Sequence, residues 1–145
     1  RSSDLWLIAD EPTKGLDAVV RNQVYDTFCM VRDQYRVGFI VITHDLLLAR
    51  KFCERIVVMY CGRVLETNAA RELFEHPRHP YTQGLIASLP HLGMKPMAGF
   101  SPAFTDQPSG CVFHPRCPYA EARCRHTEPK SIPCGEGSVC CHRYA

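Results

Sequence analysis

Residues 4–18 have the sequence DLWLIADEPTKGLDA, and this stretch decides the predicted fold. Its apolar run from Leu5 to Ala9 is typical of a short strand buried on both faces of a parallel sheet. Asp10 and Glu11 follow directly. Ligands of open parallel sheets bind beyond the carboxyl ends of strands, and adjacent carboxylates are costly to bury without a cation or a proton. The pair is therefore a candidate functional site, and a solvated turn is the alternative.

Apolar and amphipathic segments alternate over the next 50 residues. Asp17 is placed to cap the first of these segments as a helix. His44 follows the second apolar strand, where parallel topology puts it at the same sheet edge as Asp10. The alternation predicts an α/β fold with a parallel sheet and right-handed crossovers. The predicted elements are a helix over 18–31, a strand over 39–43, a helix over 46–52, and strands over 55–60 and 63–66. Cys61-Gly62 joins the last two strands, and Gly62 supplies the turn chemistry of a hairpin.

Two of these segments carry a specific resemblance. The run DLWLIADEPTKGLDA resembles the Walker B and D-loop region of ABC-type ATPases, which are P-loop NTPases, and VITHDL at 41–46 resembles their switch-histidine loop. A lone histidine after a strand is more often structural than catalytic, but the two motifs stand together in the family's order. Lys14-Gly15 occupies the place where many members have Thr or Ser followed by Ala.

The resemblance implies a role for each residue of these motifs. Asp10 would hold the Mg²⁺ of bound ATP through water, and Glu11 would polarise the attacking water as a general base. His44 would contact the γ-phosphate and link it to Glu11 and to a partner subunit. Asp17 would lie at the contact between two nucleotide-binding domains. Carboxylates suit these roles because they bind hard cations and orient water.

The chain contains no G-x-x-x-x-G-K-[ST] phosphate loop and no glycine-rich ABC signature, and it does not begin with Met. We therefore expect it to be the C-terminal half of such a domain, spanning residues 1–67, followed by an extension over 68–145. By itself it is expected neither to bind ATP tightly nor to turn it over.

The extension is rich in Pro and Cys, and it is predicted to be mostly irregular. Its start, EHPRHPYTQGLIASLP at 75–90, resembles the C-terminal extension of oligopeptide/dipeptide-type ABC transporter ATPases, the peptide and nickel importer branch. Without the upstream motifs, the segment at 75–90 would be interpreted as a Pro-rich linker followed by one amphipathic helix. His76 and His79 are metal-ligand types, but each stands beside a proline, and a packing or turn role is expected.

Six of the nine cysteines lie in the last 35 residues. The resemblance implies that Cys111, Cys117, Cys124 and Cys141 hold a 4Fe–4S cluster. Zn²⁺ is the alternative metal. The third possibility is that the cysteines bind no metal or form disulfides. Cys134 or Cys140 can replace Cys141 as the fourth ligand. The nearby histidines are zinc ligands by type, but each is expected to be solvated or to hydrogen-bond a metal ligand; they are His114, His126 and His142.

The composition narrows the function classes. The net charge of +2 without a long basic run argues against a nucleic-acid partner. No apolar run approaches the roughly 20 residues that span a bilayer. The start lacks a signal-peptide core, which favours a reducing compartment.

The resemblance implies an ATP-hydrolysing subunit of an importer for di- or oligopeptides or a related small solute. Its partners would be a second ATPase subunit, two transmembrane permeases and, indirectly, a solute-binding protein. It would be peripheral, at the cytoplasmic face of a prokaryotic cell membrane. The alternatives are a non-catalytic metal-binding interaction module and an ABC ATPase that drives a process other than transport.

Overall fold

The computed structural model describes residues 5–103 and 105–145 of the chain, without the side chain of His91. These residues form two compact units, the first ending at Cys53 and the second beginning at Glu54. This division follows the packing of the chain. The predicted domain boundary between residues 67 and 68 instead follows the family motifs, and it stays a prediction.

The first unit has two strands and two helices in alternation. Strand β1 pairs in parallel with β2, so that Trp6 lies opposite Gly38 and Asp10 lies opposite Ile42. A Cβ atom at Gly38 would come within 2.6 Å of the Trp6 ring, so a larger residue there requires the ring to move. The parallel pairing brings the carboxyl ends of both strands to one edge, as predicted. The elements are β1 (Trp6–Asp10), α1 (Ala18–Tyr35), β2 (Gly38–Ile42) and α2 (Leu46–Phe52).

Both helices begin at a capping aspartate, and the cap at Asp17 was predicted. The Asp17 carboxylate accepts the backbone N–H groups of Val19 and Val20 at 2.9 and 3.0 Å. Asp45 does the same at the start of α2. Helix α1 continues four residues beyond the predicted end, and Arg36 closes it in a left-handed conformation. The added residues include no helix breaker, which explains the longer helix.

The expected burial of β1 on both faces is wrong for this unit. Trp6 is 62% exposed and Ile8 is 69% exposed. A strand is buried on both faces only when a layer of structure covers each one. Here α1 packs on β2 through Phe28 and Phe39, whose rings lie 5.1 Å apart, and much of the apolar surface stays exposed.

The second unit contains an antiparallel sheet in the order β3-β4-β6-β5. The strand at 55–60 therefore pairs with its hairpin neighbour and does not extend a parallel sheet, which makes the fold mixed α/β. The cause is the two-residue turn Cys61-Gly62, because a turn this short requires antiparallel pairing. The elements are β3 (Arg55–Tyr60), β4 (Arg63–Ala69), α3 (Ala70–Glu75), α4 (Pro80–Ala87), β5 (Ser131–Cys134) and β6 (Gly137–Cys140), with short 3₁₀ helices at Pro90–Leu92, His114–Arg116, Ala122–Arg125 and His142–Tyr144.

The extension is more regular than predicted, because its hairpin β5–β6 joins the sheet beside β4. Pro133 is tolerated in β5 because this strand lies at the edge of the sheet. The core of the unit joins the sheet to the extension, with Tyr60 and Leu65 packed on Val112 and Phe113. In the described ranges, no helix is long and apolar enough to cross a membrane.

Candidate functional site

The first candidate site lies where β1 and β2 end. Glu11 follows β1, and its backbone N–H donates to the carbonyl of Ile42 at 2.7 Å. His44 follows β2, and its Nδ1 atom lies 2.7 Å from Oε2 of Glu11. The fold thus brings together the acid and the imidazole that the sequence placed at one sheet edge. Their chemical roles stay predictions.

The backbone of Glu11 is strained. Its φ angle is 47°, in the left-handed region that non-glycine residues rarely adopt. Its Oε2 atom is buried without a well-directed hydrogen bond, although the His44 ring is close. Such strain and unsatisfied polar atoms concentrate at functional sites. Asp10 is exposed at the last position of β1, and the side chain of Asp17 serves as the cap of α1.

The loop that follows Glu11 is held to the start of α2. The Thr13 hydroxyl donates to the Asp45 carboxylate at 3.3 Å, and Thr13 is buried. The backbone N–H of Asp45 donates to the Thr43 hydroxyl at 3.0 Å. These contacts fix the chain on both sides of His44. The contribution of Thr13 was not predicted, since a threonine in a turn carries no signal for a contact 32 positions away.

The second candidate site lies in the second unit. Cys111, Cys117, Cys124 and Cys141 line one cavity. Cys140 lines a different one. All nine cysteines are free thiols. The fold therefore groups the four cysteines that the resemblance selected, and it separates Cys141 from its neighbour.

The thiols of this cavity influence one another. Burial raises the pKa of Cys111, Cys117 and Cys141, and repulsion between neighbouring thiolates raises the pKa of each further. Without a cation these three thiols stay protonated at neutral pH. A bound metal reverses this balance, since a coordinated thiol loses its proton.

The donor set fits a metal group held by sulfur, because thiolates bind both zinc and iron–sulfur clusters. The described residues contain no group of three or more His, Cys, Asp or Glu side chains placed to hold a single metal ion. A Zn²⁺ ion needs sulfurs about 2.3 Å from one point. Four cysteine thiols are also the usual ligand set of a 4Fe–4S cluster.

A buried network supports the cavity. Glu66 of β4 is 0% exposed, and its carboxylate accepts the backbone N–H groups of Arg78 and His79 at 3.0 and 2.9 Å. His79 in turn caps α4, since its Nδ1 atom accepts the N–H of Tyr81 at 3.0 Å. Burial lowers the pKa of His79 to about 4. The packing and turn role expected for His79 fits these contacts, whereas the buried Glu66 was not predicted from its place in a strand.

Backbone contacts hold the loops that carry the cysteines. The N–H of Cys111 donates to the carbonyl of Cys124 at 2.9 Å. His114 and His142 each contact a backbone carbonyl through one ring nitrogen, at 3.0 and 2.9 Å. Arg123 donates to the carbonyl of His142 at 2.7 Å. His142 therefore connects the chain end to the loop at Thr127, whereas His114 stabilises a local turn on Cys111.

Comparison with known proteins supports the resemblance seen in the motifs. Residues 65–124 match the family model of the oligopeptide/dipeptide transporter C-terminal region. The dipeptide transport ATP-binding protein DppD of Haemophilus influenzae is 40% identical over 141 residues, which cover 94% of this chain and 43% of that protein.

Two further relatives agree. The protein of the same name from Escherichia coli K12 is 41% identical over 128 residues, covering 85% of this chain and 39% of that protein. The protein of the same name from Caldanaerobacter subterraneus is 37% identical over 144 residues, which cover 95% of this chain and 44% of that protein. The chain spans about two fifths of the length of these relatives. It is similar to the C-terminal region of dipeptide and oligopeptide transporter ATP-binding proteins.

The family match to the transporter C-terminal region covers only part of the two sites. Residues 65–124 include Glu66, His79 and three of the four grouped cysteines, and Cys141 lies beyond them. Glu11 and His44 lie before the match. The similarity to the ATP-binding relatives extends over almost the whole chain.

Proposed function

We propose that this chain contributes the C-terminal part of the ATP-hydrolysing subunit of an ABC importer. The complete subunit energises the uptake of di- or oligopeptides, or of a related small solute. Similarity to dipeptide transport ATP-binding proteins supports the class of protein. The contact of 2.7 Å between Glu11 and His44 at the ends of parallel strands is the observation that carries the proposal.

The arrangement suits hydrolysis of a phosphoanhydride. Glu11 accepts a proton from the water that attacks the γ-phosphate, and ADP and phosphate leave. His44 holds the Glu11 carboxylate in position and contacts the γ-phosphate. Asp10, exposed at the end of β1, would hold Mg²⁺, and the ion would supply positive charge against the phosphate oxygens.

The partners follow from the class of protein. A second, homologous or identical ATPase subunit meets this one near Asp17, and two transmembrane permeases convert closure of the pair into transport. A solute-binding protein acts through the permeases. The assembled subunit lies at the cytoplasmic face of a prokaryotic membrane and needs no nucleic acid.

Uptake by a reconstituted importer tests this function. The complete subunit is assembled with its permeases, its ATPase partner and a binding protein in proteoliposomes, and uptake of a labelled dipeptide is followed with ATP. His44→Ala should abolish uptake, because it removes the group in contact with Glu11. His76→Ala, an exposed histidine outside both sites, is the control. Uptake that is equal in both variants would contradict the proposal, and uptake of Ni²⁺ without dipeptide would reassign the solute.

We propose in addition that Cys111, Cys117, Cys124 and Cys141 hold a 4Fe–4S cluster, with Zn²⁺ as the alternative. The shared cavity and the free thiols support this assignment. The cluster would supply a covalent link between the loop at 111–124 and the chain end, together with a one-electron redox centre. The four cysteines would bind it.

Anaerobic purification with iron, sulfide and zinc analysis tests the metal assignment. A brown chain with about four irons is expected for a Cys₄-bound cluster. Cys141→Ser should lower the iron content, whereas Cys140→Ser should not, because Cys140 lines a different cavity. One zinc per chain and no colour would favour the alternative metal. Equal loss of iron in both variants would remove Cys141 as the specific fourth ligand.

A non-catalytic metal-binding module is the second candidate function. It is favoured by the compactness of the second unit, which contains all four grouped cysteines. The reading frame upstream of residue 1 distinguishes the two candidates. A phosphate loop encoded there supports the ATPase, and a frame without one supports the module.

A further inference from the structure

His79 lines the cavity of the four cysteines but is not one of the predicted ligands. It is 1% exposed and is held at three points. Its backbone N–H donates to Glu66 at 2.9 Å, and its Nδ1 atom accepts the N–H of Tyr81 at 3.0 Å. The ring packs against Phe113 with 5.7 Å between centroids. The ring is thus fixed in place beside the cysteines.

The hydrogen bond at Nδ1 decides which nitrogen of His79 carries the proton. Because Tyr81 donates to Nδ1, this atom is the acceptor, and the neutral ring carries its hydrogen on Nε2. Within residues 5–103 and 105–145, the contacts of His79 include no acceptor for Nε2–H. This N–H group is therefore free to donate to a group bound in the cavity that His79 lines.

The two other histidines that line this cavity differ from His79. One ring nitrogen of His114 donates to the carbonyl of Cys111 at 3.0 Å. One ring nitrogen of His142 donates to the carbonyl of Thr127 at 2.9 Å. Since a carbonyl can only accept, the proton of each neutral ring is already used. Of these three residues, His79 alone has an N–H group left for a group bound in the cavity.

We propose that the Nε2–H of His79 donates a hydrogen bond to a sulfur atom of the cluster bound by Cys111, Cys117, Cys124 and Cys141. His79 is then a positioning residue that tunes the cluster without ligating it. The inference rests on the proposed iron–sulfur site. Hydrogen bonds to cluster sulfurs help to set the reduction potential, and a donor stabilises the reduced, more negative state. His79 therefore raises the potential.

Two substitutions separate this hydrogen bond from the helix cap. In His79→Asn the side-chain oxygen can replace Nδ1 as the cap of α4, while the donor toward the cavity is lost. In His79→Gln the amide nitrogen can replace Nε2 as the donor, while the cap is weakened. His76→Asn is the matched control, since His76 belongs to the same motif, is exposed and does not line the cavity.

The experiment is a reduction titration of each reconstituted chain with dithionite and mediators, followed by electron paramagnetic resonance after iron analysis. His79→Asn should retain its iron and should be about tenfold harder to reduce, a fall of about 59 mV for one electron. His79→Gln and His76→Asn should titrate like the wild type. Where His79→Asn does not retain the cluster, the potential of His79→Gln decides, and a wild-type value supports the donor.

The contrary outcomes are distinct. If the wild-type chain binds the cluster and His79→Asn has the same reduction potential, the role of His79 is overturned and the cluster assignment stands. A lowered potential in His79→Gln would also overturn it. A wild-type chain that takes up no iron would overturn the cluster together with this inference.

Discussion

The carboxylate of Asp17 has a structural task that can be measured apart from its proposed place at a subunit contact. It accepts two backbone N–H groups at the start of α1. Asp17→Ala should lower the free energy of unfolding by about 1 kcal/mol, whereas Asp17→Asn should keep the cap and most of the stability.

Urea unfolding of both Asp17 variants tests this cap. Asp26→Ala, an exposed position within the same helix, is the control. An Asp17→Ala chain that is as stable as the control would show that the cap contributes nothing. If the Asp17→Asn variant is stable but hydrolyses ATP slowly in the assembled importer, the negative charge of Asp17 is needed at the subunit contact.

His79 gives the stability of the metal-free chain a defined pH dependence. Burial lowers its pKa from 6.5 to about 4 in the folded chain. Between these values the unfolded chain binds a proton that the folded chain does not, so the free energy of unfolding falls as the pH falls. The full loss, on the order of 3 kcal/mol, is reached near pH 4, and the contribution is constant above pH 6.5.

Unfolding in urea from pH 4 to 8, with a chelator present, measures this dependence. His79→Asn should show a flatter profile below pH 6.5, and His76→Asn should follow the wild type. Equal slopes in all three chains would mean that folding does not lower the pKa of His79, against the burial described above.

The close approach of β6 to β4 depends on one glycine. A Cβ atom at Gly137 would collide with the backbone carbonyl of Thr67, which has no flexible end that could move away. Gly137→Ala should therefore destabilise the chain by about 2 kcal/mol through overpacking. Glu136→Ala, in the exposed turn beside it, is the control. Thermal unfolding at the same midpoint for both variants would contradict this packing.

The elements of the chain were predictable to different degrees. Helix α2 and strand β3 have the predicted bounds, and both capping aspartates follow from their position before an amphipathic run. The antiparallel pairing of β3 with β4 follows from the two-residue turn Cys61-Gly62. Local patterns do not report distant strand partners, so the pairing of β4 with β6 could not be predicted. The hairpin β5–β6 was missed because its four-residue strands contain Pro133 and show no clear alternation.

Over the whole molecule, the sequence located both candidate sites by motif but could not describe their surroundings. Which cysteine completes the group of four was left open between Cys134, Cys140 and Cys141. The fold places Cys141 at the shared cavity, since the strand β6 ends at Cys140 and the chain then turns. The contacts of Glu66 with residues 12 and 13 positions away arise from tertiary packing, which no local pattern reports.

Glu11 is the residue on which the proposed activity depends, and ATP hydrolysis by the assembled importer tests it most directly. Glu54→Gln, at an exposed position beyond the site, is the control. Glu11→Gln should lower turnover by about 100-fold or more while ATP binding is retained, because loss of a general base slows the chemical step. Glu11→Gln turnover at the rate of the Glu54→Gln control would contradict the account.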